Sequence, residues 1–284
     1  MAAEPSIDYE AEYNNRARVP AHPEIMAGWQ RDAAAYRTEH PPEIIAYGSG
    51  ARENIDLFRA GENAPVAMFI HGGYWQALDG TWFSHMARGL NAHGISIAIP
   101  TYDLCPNVSI AQILDQMRAA TLEIHRLTGQ RAIATGHSAG GHLAACLLAT
   151  DWQTIDSSLP PDLVPAAYCI SGLFDLRPLV TTSLNTALKL DLAEAERLSP
   201  LFWPPPRDAK LHAVVGECES SEYHRQSREL AQRWSGRAAE ISSGVIAGAN
   251  HFTVIAPLAQ AESRVTREIS ILTARCLISK GPAN

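Results

Sequence analysis

The run Ala132-Ile133-Ala134-Thr135-Gly136-His137-Ser138-Ala139-Gly140-Gly141-His142-Leu143-Ala144-Ala145-Cys146-Leu147-Leu148-Ala149 decides the fold. Its first four residues are apolar or β-branched, and those from Gly141 to Ala149 form a helical run. The order predicts a strand, a tight turn and a helix in immediate succession. Between strand and helix stands Gly136-x-Ser138-x-Gly140. Such a turn needs small neighbours because strand and helix close on it. The serine at its apex projects from the sheet edge, above a helix N-terminus that favours developing negative charge. A phosphate loop is excluded by spacing, since Gly136 to Gly141 matches neither G-x-G-x-x-G nor G-x-x-x-x-G-K-[ST]. A Gly-rich turn without chemistry is the plain alternative.

Outward from this turn, short apolar runs alternate with longer segments of helical period. Core strands are expected at Val66–Ile70, Ser96–Pro100, Ala132–Thr135, Ala166–Ile170, Leu211–Val215 and Ala238–Ile241. Each is continuously apolar rather than alternating, as strands covered on both faces are. The clearest helix runs from Ser109 to Thr128, with Ile110, Ile113, Leu114, Met117, Thr121 and Ile124 on one face and Gly129 as its stop. The class is therefore α/β, a mostly parallel sheet with helices on both faces. One domain over residues 1–284 is expected. Residues 1–65 look like an arm, with a helix around Glu24–Thr38 and an antiparallel strand pair at Glu43–Tyr47 and Asn54–Phe58. Residues 175–206 lack a core strand and sit where a small cap or lid would be inserted.

The chain has 284 residues, 46% of them hydrophobic, enough for a substantial core. Lys plus Arg number 23 against 30 Asp plus Glu, and the net charge of −7 argues against nucleic acid or an anionic membrane as partner. No apolar run reaches the roughly 18 to 20 residues of a spanning helix. The acidic stretch Met1–Glu10 resembles no secretory or transit signal. Five widely spaced cysteines without a C-x-x-C pair fit a reducing compartment, so a cytoplasmic location is expected.

A second motif, His71-Gly72-Gly73-Tyr74-Trp75, follows the strand at Val66–Ile70. Paired glycines let a backbone turn and expose consecutive N–H groups, the requirement of an oxyanion hole. A serine nucleophile then needs a base, and the base needs a carboxylate. Of His212, His224 and His251, downstream of the turn, His251 is favoured because it follows the last strand in a loop of small residues. The acid stays open on this reading among Glu217, Glu219, Glu222 and Asp175. Tyr74, Trp75 and Trp82 are candidates for an aromatic wall against a substrate.

Taken together, these residues resemble the α/β-hydrolase superfamily and, within it, the kynurenine formamidase (arylformamidase) group of serine hydrolases. The resemblance rests on the HGGxW motif at His71 to Trp75, on Gly136 to Gly141, on Ser171-Gly172-Leu173-Phe174-Asp175-Leu176 and on Asn250-His251-Phe252, and spans most of residues 9–275. In that group the acid lies a few residues past a Val-Val-Gly strand end, in a stretch ending acid-Ser-x-Glu-aromatic. Val214-Val215-Gly216 and Glu219-Ser220-Ser221-Glu222-Tyr223 match it and imply Glu219, where characterised eukaryotic members carry aspartate. The resemblance thus implies a triad of Ser138, Glu219 and His251. It also implies an oxyanion hole from the N–H groups of Gly73, Tyr74 and Ala139, and a small-molecule substrate contacted by Tyr74 and Trp75. The implied reaction is hydrolysis of N-formylkynurenine to kynurenine and formate. A carboxylesterase acting on short-chain acyl esters or carbamates would use the same residues, and a non-catalytic binding protein on this fold is the reading from another class. The H-x-G-T-H-x-D signature of metal-dependent formamidases is absent, so no metal and no other cofactor is expected.

Overall fold

The computed structural model describes residues 7–208, 210–236 and 240–278. Its strands are β1 (Glu43–Ala46), β2 (Asn54–Phe58), β3 (Val66–Ile70), β4 (Ser96–Thr101), β5 (Ala132–His137), β6 (Ala166–Ile170), β7 (Lys210–Gly216) and β8 (Glu240–Ile246). They form one sheet in the order β1-β2-β4-β3-β5-β6-β7-β8. β1 pairs antiparallel with β2, and β2 antiparallel with β4, while every pairing from β4 to β8 is parallel.

The helices are α1 (Tyr9–Tyr13), α2 (Asn15–Arg18), α3 (His22–Glu39), α4 (Ala87–Ala92), α5 (Ile110–Thr128), α6 (Ala139–Leu148), α7 (Trp152–Ile155), α8 (Asn185–Leu188), α9 (Leu192–Arg197), α10 (Ser221–Trp234) and α11 (Arg264–Ile278). α5 shows why these segments are helical. Ser109 caps its N-terminus in a reciprocal pair with Gln112, its apolar face is buried, and Gly129 closes it at φ 66°.

Strand residues divide between the two faces with period two. Val66, Met68 and Ile70 of β3 join a cluster with Met117 of α5, Leu143 of α6 and Trp234 of α10. Ala67 and Phe69 join another with Trp29 of α3, Leu90 of α4 and Ile269 of α11. Both faces are covered, which is why the strand reads as continuously apolar. Each large side chain so buried contributes roughly 1.5–3 kcal/mol.

β8 departs from expectation. Ala238 lies outside the described residues, and the strand runs on from Glu240 through Ser242-Ser243-Gly244 to Ile246. As an edge strand it is largely exposed, so polar residues suffice there and an apolar run does not mark its end. Among the described residues no helix is long and apolar enough to cross a membrane.

β3 lies between β4, which follows it in the chain, and β5, which comes later. The connection reverses direction there, and in open parallel sheets the crevice outside the strand C-termini at such a point is where ligands bind. The segments carrying His71, Ser138, Ser171, Glu219 and His251 leave the C-terminal ends of β3, β5, β6, β7 and β8.

Candidate active site

Ser138 stands at the apex of the β5–α6 turn with φ 57° and ψ −118°, a conformation L-residues adopt only where surrounding structure imposes it. Its N–H is bonded to the Ile170 carbonyl at 2.8 Å. Gly140 is required by close approach, because a Cβ there would lie 2.0 Å from the Ile70 carbonyl oxygen. The turn is thereby pressed against the end of β3.

The loop leaving β3 is bent through three consecutive positive φ values, 110° at Gly73, 50° at Tyr74 and 55° at Trp75. Hydrogen bonds hold the strain. His71 Nδ1 donates to the Gly72 carbonyl at 2.8 Å, Tyr102 Oη donates to the His71 carbonyl at 2.8 Å, and Cys105 N–H donates to the Trp75 carbonyl at 2.8 Å. A trans peptide carries C=O and N–H on opposite sides. Tying back the Gly72 carbonyl therefore turns the Gly73 N–H the other way. Among the described residues the N–H groups of Gly73, Tyr74 and Ala139 have no backbone or side-chain acceptor. Donors left open in this way bind an anion without reorganisation.

The candidate acid–base pair comes from the segments that follow β7 and β8. His251 Nδ1 donates to Glu219 Oε2 at 2.6 Å, and the Glu219 side chain is 0% exposed. Glu219 Oε1 accepts from Gly216 N–H at 2.8 Å and from the Ser171 hydroxyl. A carboxylate only accepts, so Nδ1 carries the proton, and Nε2 of the neutral ring is left as a base. The His251 loop is fixed by Asn250 Oδ1, which accepts from Phe252 N–H at 2.9 Å and Thr253 N–H at 3.0 Å. The imidazole lies between the rings of Tyr223 and His137, with centroids at 4.6 and 4.7 Å.

The other acids weighed from sequence are engaged elsewhere. Asp175 is bonded by Arg177 Nε and Nη2, each at 2.9 Å, and Glu222 by Arg225 and Tyr13 Oη. Glu217 accepts from Gly248 N–H at 2.8 Å and steadies the histidine loop without touching the ring. Burial holds His71 and His142 neutral, with pKa values down to about 4, and pushes His137 well below the usual histidine range.

Ser138, His137 and His251 line one cavity of about 400 Å³ together with Gly73 and Tyr74. Further walls come from the arm, through Glu10, Tyr13, Asn15, Arg16 and Trp29, from Thr182, Ser183 and Leu184, and from Leu78 and Phe252. Glu10 joins the first two of these walls, its Oε2 accepting from Ser183 N–H at 2.7 Å and its Oε1 from Ser183 Oγ at 2.8 Å.

Trp75, expected on an aromatic wall, does not line the cavity. Its positive φ accompanies a side chain sunk in the core at 0% exposure, where its ring meets His142 edge-on at 5.1 Å. Trp82 is half-buried in the cluster on the opposite face of the sheet. The aromatic lining comes from Tyr13, Tyr74, Trp29 and Phe252. Sequence reasoning missed Trp29 and Asn15, which carry no motif, and Ser171, although it opens the quoted Ser171-Gly172-Leu173-Phe174-Asp175-Leu176 stretch. A hydroxyl at the end of the strand next to the Ser138 strand was the available signal.

No family model matches the chain. It is 29% identical over 238 residues to a kynurenine formamidase of Drosophila melanogaster, covering 78% of each chain. It is 27% identical over 234 residues to the kynurenine formamidase of Salmo salar, covering 78% of this chain and 79% of that one. Among solved structures, a protein from Silicibacter sp. TM1040, provisionally designated a thioesterase, superposes with a TM-score of 0.83 at 31% identity. That match covers 92% of this chain and 98% of the other.

Proposed function

For a chain that belongs to the α/β-hydrolases and is arylformamidase-like among them, we propose hydrolysis of an aryl formamide, with N-formylkynurenine the favoured substrate, through a formyl-enzyme on Ser138. The observation that carries the reading is the buried Glu219 carboxylate on His251 Nδ1 at 2.6 Å, with His251 and Ser138 facing one cavity. His251 Nε2 takes the hydroxyl proton as Ser138 Oγ attacks the formyl carbon, and Glu219 stabilises the imidazolium. The oxyanion is held by the N–H groups of Gly73, Tyr74 and Ala139, each such donor being worth about 3–4 kcal/mol in the transition state. His251 then gives its proton to the departing aryl amine nitrogen, without which an amine leaves poorly. Water, deprotonated by His251, attacks the formyl ester. Formate leaves and Ser138 recovers its proton.

Substrate class follows from the walls. Trp29, Phe252 and Tyr74 suit an aryl ring, and Arg16, the one arginine on the cavity among the described residues, suits a carboxylate at the far end of the same molecule. Residues 175–206, through Thr182 to Leu184, act as a cap over the substrate together with the arm. Cys105, Cys146, Cys169 and Cys218 are thiols, which supports a cytoplasmic location.

The test compares kcat/KM for N-formylkynurenine, p-nitrophenyl acetate and an aryl carbamate, with Ser138→Ala as control. Turnover should be highest on the formamide and lost in the variant. A high rate on the acetate beside a negligible one on the formamide would establish the second reading, a carboxylesterase, which the same residues would serve. An unaltered Ser138→Ala rate would remove serine chemistry altogether.

A further inference from the structure

The Glu219 carboxylate turns only one of its oxygens to His251, and the other is gripped from a neighbouring strand. Oε2 accepts from His251 Nδ1 at 2.6 Å, while Oε1 accepts from Gly216 N–H at 2.8 Å and from the Ser171 hydroxyl. Ser171 directly follows β6 and is wholly buried. Its own N–H is bonded to the Val214 carbonyl of β7 at 2.7 Å, which pins the backbone as a continuation of the sheet. It has φ 52°, a left-handed conformation that glycine enters freely and other residues avoid. A carboxylate only accepts, so the one proton of the Ser171 hydroxyl goes to Glu219. The turn would be easier to make with glycine, yet the chain keeps a side chain there and commits its only polar atom to the buried acid. Such retained strain points to function.

The surroundings leave Glu219 as the charge that His251 feels. His137 at the end of β5 and Tyr223 of α10 flank the imidazole, with Tyr74 of the β3 loop bonded to Tyr223. Burial lowers the histidine and raises both phenols, so all three are uncharged near neutral pH. Glu217 is turned to the Gly248 N–H, and Glu222 to Arg225 and Tyr13. With His251 neutral, the Glu219–His251 pair carries one negative charge, and with the ring protonated it carries none. A donor on Oε1 stabilises the first state more than the second, and so favours the ring in the form that acts as a base.

We propose that Ser171 is a positioning residue for the acid–base pair: its hydroxyl fixes the outer oxygen of Glu219, aims the inner one at His251 and disperses the carboxylate charge. Gly216 supports the same arrangement from β7, since a Cβ there would lie 2.5 Å from the Ala249 carbonyl oxygen and 3.0 Å from Glu219 Oε1. The inference rests on Ser138, Glu219 and His251 acting together, and holds whether the acyl group is a formamide or an ester.

Ser171→Gly and Ser171→Ala both delete the hydroxyl, the first with relief of the backbone and the second without it. The readout is the rate at which a fluorophosphonate labels Ser138 as a function of pH, a reaction that needs no acyl substrate, with melting temperature as a check on folding. Both variants should label about ten- to a hundredfold more slowly at their pH optimum, the equivalent of one hydrogen bond to a charged group. The acid limb of the profile should also move up by about one pH unit, because without the donor the anionic pair is destabilised most and the ring keeps its proton to higher pH. A glycine variant as fast as the parent would overturn the proposal, since the turn and not the hydroxyl would then matter. Slower labelling with an unmoved acid limb would overturn it as well, leaving Ser171 a packing role only. If one variant does not fold, the other carries both readouts. Labelling of Glu219→Gln at the parent rate would instead strike the triad reading itself, a result the Ser171 variants alone do not produce.

Discussion

The cavity has two halves made in different ways. One is built from strand ends, where Ser138, Glu219, His251 and the Gly73–Tyr74 loop sit on short connections from a rigid parallel sheet. The other is the arm, where α3 packs its buried face on the sheet while α1 and α2 reach their positions through side-chain hydrogen bonds far along the chain, such as Ser221 Oγ to Glu12 Oε2 at 2.7 Å and Glu222 N–H to Glu12 Oε2 at 2.9 Å. On the proposed function, the difference separates chemistry from discrimination. Groups that would have to hold an atom to a fraction of an ångström are then on the sheet, and groups that would need only shape and charge are on the arm.

The sharpest way to break this division is Glu219→Gln. An amide in place of the carboxylate no longer stabilises the imidazolium and favours the wrong tautomer, so kcat should fall about 10³- to 10⁴-fold with KM little changed. Steady-state kinetics check it, and a variant altered only in KM would move Glu219 to the binding half.

Acid should next weaken the sheet half. His71 and His142 have folded pKa values of about 4, below the ordinary histidine value of 6.5. As pH falls through 6.5 the unfolded chain takes up these protons while the folded chain does not. The stability lost is of order 3 kcal/mol for each, accumulating between pH 6.5 and 4 and levelling below that. Denaturant unfolding across this range should show the decline, and replacing His142 by Gln should flatten it. A profile identical in the variant would contradict the assignment.

The smallest effect sharpens the arm half. Arg16→Ala should raise KM several-fold for N-formylkynurenine, leave kcat close to the parent, and leave p-nitrophenyl acetate, which has no carboxylate, unaffected. Equal changes on both substrates would show that Arg16 supports the fold of the arm and does not read the substrate.

The same division governed what could be read from sequence. Period and apolarity gave β3 to β7 within a residue or two, because strands buried on both faces cannot be polar. They stopped short on β8, whose edge position tolerates Ser242 and Ser243. Ser138 was legible as a candidate because it follows β5 directly, and His251 because it stands in the loop of small residues after the last strand. Glu219 was not separable from Glu217 and Glu222 by residue type and position alone, since only hydrogen bonds from Ser171, Gly216 and His251 distinguish it. Trp75 misled because an aromatic after a glycine pair gives no sign of which way a left-handed backbone will throw it. Asn15 and Trp29 were illegible for a deeper reason: their partners lie tens to hundreds of residues away, and no local period encodes such a meeting.

The Glu10–Ser183 link carries its own consequence. Both residues are exposed, so two ordinary hydrogen bonds fasten the rim, and each is worth only about 1 kcal/mol net. A fastening that weak unclips spontaneously and often. Deeper along the same arm, Tyr13 and Asn15 are tied to Glu222 and Tyr223 by buried hydrogen bonds, so the exposed rim can loosen while the arm stays seated.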